Sequence, residues 1–339
     1  MPAEQDGLPK GLELIYQMTD KIAFDTGFVL EIIEQYQKEF RCDVDIRYDE
    51  PMSEHTTFKV GGPADVYLCP QGDGFPHFCA SLLSRARKAA VPVFILGGGA
   101  NIVVCDSGIR GIVLDTGAWK GGAVTAQGFV FKSGTSMDEA SEYAAASSFS
   151  GLEFLAGMPG TIGGAVWMNA RCYGSEIADI LEWTEIIDFD VIDLDGAPEI
   201  KRIPADKADF GYKRSPFQGK KQLILSACFK LKTGNKDNIK IEMEKNRKDR
   251  KEKGHYLFPC AGSAFKNNRD FGKPTGVIID ELGLKGFQTG GAQIAPFHGN
   301  FVINTGGATA SDIRSLMDEV STKVKAATGF VLEPEILFI

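Results

Sequence analysis

The sequence predicts an α+β protein with two domains, a larger one rich in glycine turns and a smaller α/β domain that follows it. Three observations support this fold class. The chain has 339 residues, which exceeds the size at which a single hydrophobic core usually stops growing. From about residue 52, short runs of β-forming residues alternate with turns. In the last third of the chain, helical and strand patterns alternate.

The N-terminal segment, residues 1–50, is predicted to contain two short helices that cap the body of the protein. Apolar residues recur there at helical spacing, at Leu12, Ile15, Tyr16, Val29, Ile32, Ile33 and Tyr36. The first residues include acidic side chains and no apolar block followed by a small-residue cleavage site. We therefore do not expect a secretory signal.

The larger domain is predicted over residues 51–237. A helix is expected at about 74–90, and a second from Ser136 to Ser148, where Asp138 and Glu139 suit the positive end of a helix dipole. The runs TEIIDFDVIDLD and QLILSACFKLK are expected to be the strands that close this domain.

The smaller domain is predicted over residues 238–339 and begins with a basic helix at 238–252. Acidic residues stand three and four positions from its Lys and Arg residues, which indicates a solvated helix. The alternative is that the end of this helix, near Arg250 and Lys253, approaches an anionic substrate or cofactor. A further helix is predicted to end at Gly329, a residue type that favours helix termination.

Residues 151–174 read GLEFLAGMPGTIGGAVWMNARCYG, a glycine-rich stretch with short apolar patches. Glycine lets backbone N–H groups approach a phosphate because no Cβ stands in the way. A ligand that carries phosphates is one interpretation of this stretch. A run of tight turns within a sheet protein is the other.

A second glycine turn, GGGAN at 97–101, lies between the apolar runs FIL and IVV. The dinucleotide-binding fingerprint of Rossmann domains requires a helix after its glycines, whereas this turn leads into a strand. The pattern therefore argues against a Rossmann domain. Two separate glycine turns are better explained by one extended ligand, such as a dinucleotide whose pyrophosphate lies along both.

Composition argues against several other classes of protein. The formal net charge of −8 disfavours non-specific nucleic-acid binding, and no apolar run is long enough to span a membrane. The 4 histidines are scattered without metal-site spacing, so no metal is expected. The 7 cysteines form no CxxC pair, which indicates reduced thiols in the cytoplasm.

Several further segments occur in order along the chain, namely HTTFKVGGPADVYL, FGYKRSPF, PCAGSAFKN, IIDELGLKG, GGAQIAPFHGNFVIN and LEPEI. With the two glycine turns, they resemble the UDP-N-acetylenolpyruvoylglucosamine reductases, flavoenzymes that complete the muramic acid unit of bacterial peptidoglycan. The resemblance extends from about His55 to Ile339.

This resemblance implies a two-part FAD-binding domain of the PCMH type followed by a smaller substrate domain. It implies FAD and NADPH as cofactors and a small-molecule substrate, the enolpyruvyl ether of a UDP-sugar. We expect a cytoplasmic monomer. The chain between Phe217 and the basic helix is too short for the insertion found in one branch of the family, so the short-loop branch is favoured.

The resemblance also assigns cofactor contacts to the two glycine turns. The predicted residues are Gly97, Gly98, Gly99, Ala100, Asn101, Gly157, Pro159, Gly160, Thr161, Gly163, Gly164 and Ala165.

Ser263 matches the family's proton donor, and Glu335 matches its active-site glutamate. The family places an arginine directly after the tyrosine of FGYKRSPF, but here Lys213 occupies that position and Arg214 follows. Lysine is a point charge, whereas guanidinium is a planar fork, so this difference is not neutral. Lys213 is favoured for the role because adjacent strand residues point to opposite faces, and Arg214 remains the alternative.

Substrate contacts are expected from a further set of residues, Tyr212, Lys253, Asn267, His298 and Asn300. For His298 a purely structural role is the alternative. Arg171 occupies a position where the family has a small residue, and it is expected either to contact a flavin or substrate phosphate or to project into solvent.

Two other functions remain open from the sequence. One is an FAD-dependent oxidase of the same superfamily that acts on a small alcohol. The other is a non-catalytic nucleotide-sugar sensor, which the lysine at position 213 suggests.

Overall fold

The structure is a computed structural model that describes residues 25–189 and 199–339. Its first helix, α1 (Gly27–Phe40), buries the apolar residues whose spacing predicted it. It ends at Arg41, which adopts the left-handed backbone conformation with φ 53°. The helix predicted around Leu12 lies outside the described residues.

The first part of the larger domain continues with β1 (Val44–Pro51), β2 (Pro63–Pro70), α2 (Phe75–Lys88), β3 (Val93–Leu96), β4 (Ile102–Val103) and β5 (Ile109–Asp115). The strands β1, β2, β5 and β3 form a sheet in that order. β2, β5 and β3 are parallel to one another, and β1 is antiparallel to β2. Helices α1 and α2 cover this sheet and enclose one hydrophobic core with it.

The second part of this domain contains β6 (Gly122–Thr125), β7 (Gly128–Lys132), α3 (Met137–Ala146), β8 (Phe149–Ser150), α4 (Ile162–Met168), β9 (Arg171–Cys172), β10 (Ser175–Glu176), β11 (Leu181–Asp188), β12 (Ile200–Pro204), β13 (Gln222–Phe229) and β14 (Lys232–Thr233). Five strands form an antiparallel sheet in the order β12, β11, β13, β7, β6. Helix α3 begins with a capping box between Ser136 and Glu139, close to where the sequence predicted the helix to start.

The C-terminal part contains α5 (Lys236–Glu252), β15 (Cys260–Ser263), α6 (Thr275–Glu281), β16 (Gln288–Thr289), β17 (Ala292–Ile294), β18 (Phe301–Asn304), α7 (Ala310–Thr328) and β19 (Leu337–Phe338). An antiparallel sheet of four strands, in the order β15, β18, β17, β16, packs with α6 and α7 around another core. Thr309 caps α7, and Gly329 ends it at φ 78°.

The two parts of the chain are joined by a short parallel pair, β19 with β4. Leu337 N–H donates to the carbonyl of Asn101 at 3.0 Å, and Cys105 N–H donates to the carbonyl of Ile339 at 2.8 Å. A strand from the C-terminal domain therefore lies directly beside the turn at 97–101. The carboxylate of Asp106 adds a second link, because it accepts hydrogen bonds from the first turn of α7.

Two elements differ from the sequence-based expectation. Strand β1 begins at Val44, inside the segment that was expected to be helical, because the alternation of apolar and polar residues in VDIRYDE was not recognised as a strand pattern. The basic helix α5 is not solvated on every side, since Ile239, Met243 and Arg250 are among its buried residues. That prediction was wrong for one face of the helix.

Candidate active site

A cavity of about 1010 Å³ lies where the two glycine turns meet the C-terminal domain. Its walls include residues 97–101, 158–161 and 163–165 from the larger domain. Residues 260–263 and Glu335 line it from the C-terminal domain. The two glycine turns and the candidate catalytic residues therefore share one space.

The two glycine turns touch each other through their backbones. A Cβ atom on Gly98 would lie 2.6 Å from the Cα of Gly160, and a Cβ on Gly97 would lie 2.8 Å from the hydroxyl oxygen of Thr161. Carbon atoms in ordinary contact are about 3.5–4.0 Å apart, so a side chain at Gly98 would force the turns apart. Part of the glycine pattern therefore serves the packing of turn against turn, a contact that was not predicted from the sequence.

The first turn also contacts His55 and Thr57. Gly99 has φ 59°, and a Cβ there would collide with the carbonyl oxygen of His55. Thr57 N–H donates to the carbonyl of Gly99 at 3.1 Å. These contacts within the protein support the shape of the turn.

Backbone N–H groups of the first turn remain free. Among the residues that the structure describes, those of Gly97, Gly98, Gly99 and Ala100 donate to no acceptor. In the second turn, by contrast, Gly163 N–H donates to the carbonyl of Ser133 at 2.8 Å. A row of free N–H donors without side chains suits a pyrophosphate, and the site therefore fits FAD.

Lys213 and Glu335 form an ion pair inside this cavity. The ammonium nitrogen lies 2.6 Å from a carboxylate oxygen of Glu335, and the side chains are 17% and 8% exposed. Lys213 stands in a tight turn with φ 56°, closed by hydrogen bonds between Gly211 and Arg214. Arg214 is exposed and is not part of the cavity wall.

The backbone of Glu335 is fixed to both domains. Its N–H donates to the carbonyl of Ala264 at 2.8 Å, beside Ser263 at the end of β15. Its carbonyl accepts a hydrogen bond of 3.1 Å from the side-chain amide of Asn101. The side chain of Asn101 therefore ties the first glycine turn to Glu335, and the predicted contact of this residue with the cofactor stays a prediction.

The other predicted substrate residues lie outside the cavity wall. Asn300 is buried and bonds both backbone groups of Phe265, and Asn267 accepts a hydrogen bond from the N–H of Thr275 at the start of α6. Both amides therefore have structural partners within the protein, and only that of Asn300 lies far away in sequence. His298 accepts from Asn300 N–H through Nδ1 and stacks on Phe301, with ring centres 3.9 Å apart.

Tyr212 and Lys253 are exposed. Lys253 pairs with Asp249 at 2.7 Å, and the Tyr212 hydroxyl accepts a 3.4 Å hydrogen bond from Asn267 N–H. Neither lines the cavity, so their contact with substrate stays a prediction. Arg171 does line the cavity, and one of its nitrogens lies 3.9 Å from a carboxylate oxygen of Glu176.

Arg250 is the most unusual side chain of the site. It is only 4% exposed and lines the cavity, yet its Nε and Nη2 atoms have no hydrogen-bond partner in the described part of the chain. The sequence had offered this position only as the alternative to a solvated helix. Arg250 lies on the same face of the helix as the buried residues Ile239 and Met243, and its helical spacing from them was the sequence signal that could have found it.

The residues His255, Tyr256 and Phe258 also line the cavity and were not predicted. Burial, followed by the charge of Arg250, lowers the pKa of His255 to about 4. The Tyr256 hydroxyl donates to the carbonyl of Gly157 at 2.5 Å, so this segment closes one side of the second turn. The signal for them was their position directly before the block PCAGSAFKN.

Within residues 25–189 and 199–339, no group of His, Cys, Asp and Glu side chains is arranged to hold a metal ion. None of the helices described there is both long enough and apolar enough to cross a membrane.

Comparison with known proteins first defines the class. A family model described as an FAD binding domain matches residues 79–191, which include both glycine turns. With the free N–H groups of the first turn, this places the chain among the FAD-dependent oxidoreductases.

The particular family follows from the rest of the chain. A model for the C-terminal domain of UDP-N-acetylenolpyruvoylglucosamine reductase matches residues 253–339. The reductase of that name from Borrelia garinii subsp. bavariensis is 42% identical, over 84% of this chain and 90% of its own. The one from Treponema denticola is 39% identical, over 86% and 93%. The chain belongs to the UDP-N-acetylenolpyruvoylglucosamine reductase family.

A solved structure leads to the same family. The crystal structure of UDP-N-acetylenolpyruvylglucosamine reductase from Thermus caldophilus superimposes with a TM-score of 0.70 and is 31% identical, over 88% of this chain and 99% of its own. The predicted α+β class, with an FAD-binding domain followed by the family's C-terminal domain, is confirmed.

Proposed function

We propose that this protein reduces UDP-N-acetylglucosamine enolpyruvate to UDP-N-acetylmuramate with NADPH as reductant, as a cytoplasmic enzyme of peptidoglycan precursor synthesis. The observation that carries the proposal is that Lys213, Glu335 and Ser263 line the same cavity as both glycine turns. Membership of the reductase family supports the choice of substrate.

The residues that would hold FAD are those of the two turns. The free N–H groups at 97–100 would donate to its pyrophosphate, and the absence of side chains at Gly160 and Gly164 would let its rings approach the backbone. When bound, FAD would supply the chemistry of hydride transfer from NADPH to the β-carbon of the enolpyruvyl double bond.

Hydride addition to an α,β-unsaturated carboxylate drives negative charge onto the carboxylate, and this charge requires a nearby cation. Lys213 provides it. The ion pair with Glu335 holds the ammonium group at the cavity wall, and the low exposure of both side chains limits screening by water. Glu335 is itself fixed by Ala264 and Asn101, so the lysine is positioned by both domains.

The product also needs a proton at the α-carbon, and Ser263 is the proposed donor. This residue ends β15 and lines the cavity, next to Ala264, whose carbonyl accepts a hydrogen bond from Glu335 N–H. A serine hydroxyl is a weak acid in water, so the role depends on nearby positive charge and on exclusion of solvent.

The proposal is tested by absorbance spectroscopy of the purified protein. The protein should be yellow, be bleached by NADPH, and recover its colour when the enolpyruvyl substrate is added. In Ser263→Ala, bleaching by NADPH should be retained while reoxidation by substrate is lost. A protein that takes up FAD but is never reoxidised by this substrate would contradict the proposal.

The role of Lys213 is tested with three variants. Lys213→Met should lower kcat/KM for the substrate about 100-fold, the usual effect of removing one group that stabilises developing charge. Lys213→Arg should retain more activity because it keeps the charge. Arg214→Met is the matched control, and because Arg214 is exposed outside the cavity wall its activity should equal that of the unaltered protein.

A further inference from the structure

Strand β15 contains a bulge directly before Ser263. Cys260 lies opposite Ile303 of β18, and Ser263 lies opposite Phe301, so β15 has one residue more than its partner between these two pairs. Gly262, inside the bulge, has the left-handed backbone conformation with φ 75°, and a Cβ there would meet nothing within 4 Å. Glycine is therefore favoured at this position by the backbone conformation and not by a lack of space.

The bulge decides on which face of the sheet Ser263 lies. Side chains alternate between the two faces along a strand, and residues directly opposite each other share a face. Ile303 and Phe301 stand two positions apart and therefore share a face. Their partners in the ladder, Cys260 and Ser263, share that face as well. In a strand without the extra residue, Ser263 would lie on the face opposite to Cys260, because the two stand three positions apart.

Asn300 holds the segment that follows the bulge. This residue is buried, and its backbone carbonyl accepts a hydrogen bond of 2.8 Å from Ala264 N–H. Its side chain pairs with both backbone groups of Phe265, because Oδ1 accepts from the N–H at 3.0 Å and Nδ2 donates to the carbonyl at 2.8 Å. Asn300 thus satisfies buried backbone groups as a neighbouring strand would, directly after Ser263.

Glu335 is attached to the other side of the same segment. Its N–H donates to the carbonyl of Ala264 at 2.8 Å, whereas Asn300 accepts from the N–H of that residue. Glu335 also pairs with the ammonium group of Lys213. If the segment moved away from Asn300, Ser263 and Glu335 would therefore change their positions in the cavity wall.

From this geometry we propose that Gly262 and Asn300 are positioning residues for Ser263. Gly262 provides the bulge that brings Ser263 to its face of the sheet, and Asn300 fixes the backbone next to it. A hydroxyl that gives its proton to the α-carbon must lie within hydrogen-bond reach of that atom, so a displacement of about 1 Å slows the transfer. The proposal rests on the proposed role of Ser263, and it gives Asn300 a role other than substrate contact.

The first test compares Gly262→Ala with Gly283→Ala as the matched control. Gly283 is exposed, has φ 68°, leaves a Cβ equally free of contacts and does not line the cavity. Alanine brings the same backbone strain to both positions, so both variants should lose similar stability in urea. Only Gly262→Ala should slow the reoxidation of reduced flavin at saturating substrate, by at least about tenfold. Gly262→Asn should recover part of this rate, because asparagine tolerates the left-handed conformation better than alanine.

The second test separates positioning from substrate contact at Asn300. Asn300→Leu removes both side-chain bonds to Phe265. The reoxidation rate at saturating substrate should fall at least about tenfold, while flavin reduction by NADPH and the dissociation constant of UDP stay unchanged. An Asn300→Leu protein that binds UDP or substrate weakly but reoxidises normally at saturation would identify a substrate contact and overturn the proposal for this residue.

Asn300→Asp adds a readout that packing alone would not move. A protonated carboxyl group can still accept from Phe265 N–H and donate to the Phe265 carbonyl, whereas the ionised group has lost the donor. The reoxidation rate of this variant, divided by that of the unaltered protein at the same pH, should therefore fall as the pH rises. A ratio that is constant with pH would contradict the role of the amide donor.

Crystal structures of the variant holoenzymes require no turnover. Ser263 should be displaced relative to Glu335 in Gly262→Ala and in Asn300→Asp above the pKa of the new carboxyl group, and it should keep its place in Gly283→Ala. If the unaltered protein is not reoxidised by the enolpyruvyl substrate, the proposed function fails, and these structures still test the positioning of Ser263. The proposal is overturned if Ser263 keeps its place in both variants, or if Gly262→Ala reoxidises as fast as Gly283→Ala.

Discussion

Replacement of Gly98 by alanine tests whether contact between the two glycine turns builds the cofactor site. Gly98 does not have a positive φ, so alanine is compatible with its backbone conformation. The added Cβ would lie 2.6 Å from Cα and 3.1 Å from the carbonyl carbon of Gly160. Both neighbours are backbone atoms that cannot rotate away, so the turns must separate by about 1 Å to reach ordinary contact.

Overpacking of this kind usually costs about 1–3 kcal/mol. We therefore expect Gly98→Ala to lower the free energy of unfolding by about that amount in urea denaturation. FAD affinity should fall as well, because the free N–H groups of the first turn move relative to the second turn. Fluorescence titration of the apoprotein with FAD measures this second effect.

Gly164→Ala is the matched control in the same cavity. Its Cβ would meet only the hydroxyl oxygen of Thr161, at 3.6 Å, and alanine favours the helical conformation of α4. Its free energy of unfolding should be unchanged or higher, while FAD affinity falls if the cofactor lies against this residue. A Gly98→Ala protein with unaltered stability and unaltered FAD affinity would refute the reasoning.

Three further outcomes are expected. Burial alone would raise the pKa of Asp106, but its hydrogen bonds from Ser311 and the start of α7 outweigh burial and lower it. Asp106→Ala should therefore lower the free energy of unfolding in urea by about 1 kcal/mol at neutral pH, and by progressively less below about pH 4. Burial, then nearby positive charge, lowers the pKa of His255 from 6.5 to about 4. Between these two values the unfolded chain binds a proton that the folded chain does not, so the free energy of unfolding should fall as the pH falls from 6.5 towards 4. The fall should be smaller in His255→Gln, and NMR titration of the imidazole should give the low pKa directly. Asn101→Ala removes the donor to the Glu335 carbonyl; it should cost about 1 kcal/mol of stability and slow flavin reoxidation by substrate in stopped-flow absorbance, while flavin reduction by NADPH stays unchanged.

Features that depend on neighbours in sequence were predicted well. The helix expected from Ser136 is observed as α3 with its capping box, and the helix predicted to end at Gly329 does so. These signals are local, because a cap or a stop is set within one helical turn. Strand β1 was missed because its alternating residues follow a helical pattern without a break.

The site was less predictable because its contacts join residues that are far apart in the chain. The amide of Asn300, which was expected to bind substrate, bonds Phe265 across 35 residues of chain, and its contact with substrate stays a prediction. The preference for Lys213 rested on strand alternation, whereas the segment is a tight turn with φ 56° at that residue. Lys213 nevertheless reaches Glu335, for a reason that alternation does not supply. The unpaired state of Arg250 follows only from three-dimensional packing.

The pairing of β19 with β4 makes each domain contribute backbone contacts that the other requires. If the chain were cut near residue 237, the fragment carrying both glycine turns would lose the strand beside Ile102, the acceptor for the Asn101 amide and the partner of Asp106. We would expect such a fragment not to be autonomous. The intact protein should therefore unfold in one transition, because unfolding of either domain removes contacts that the other domain requires.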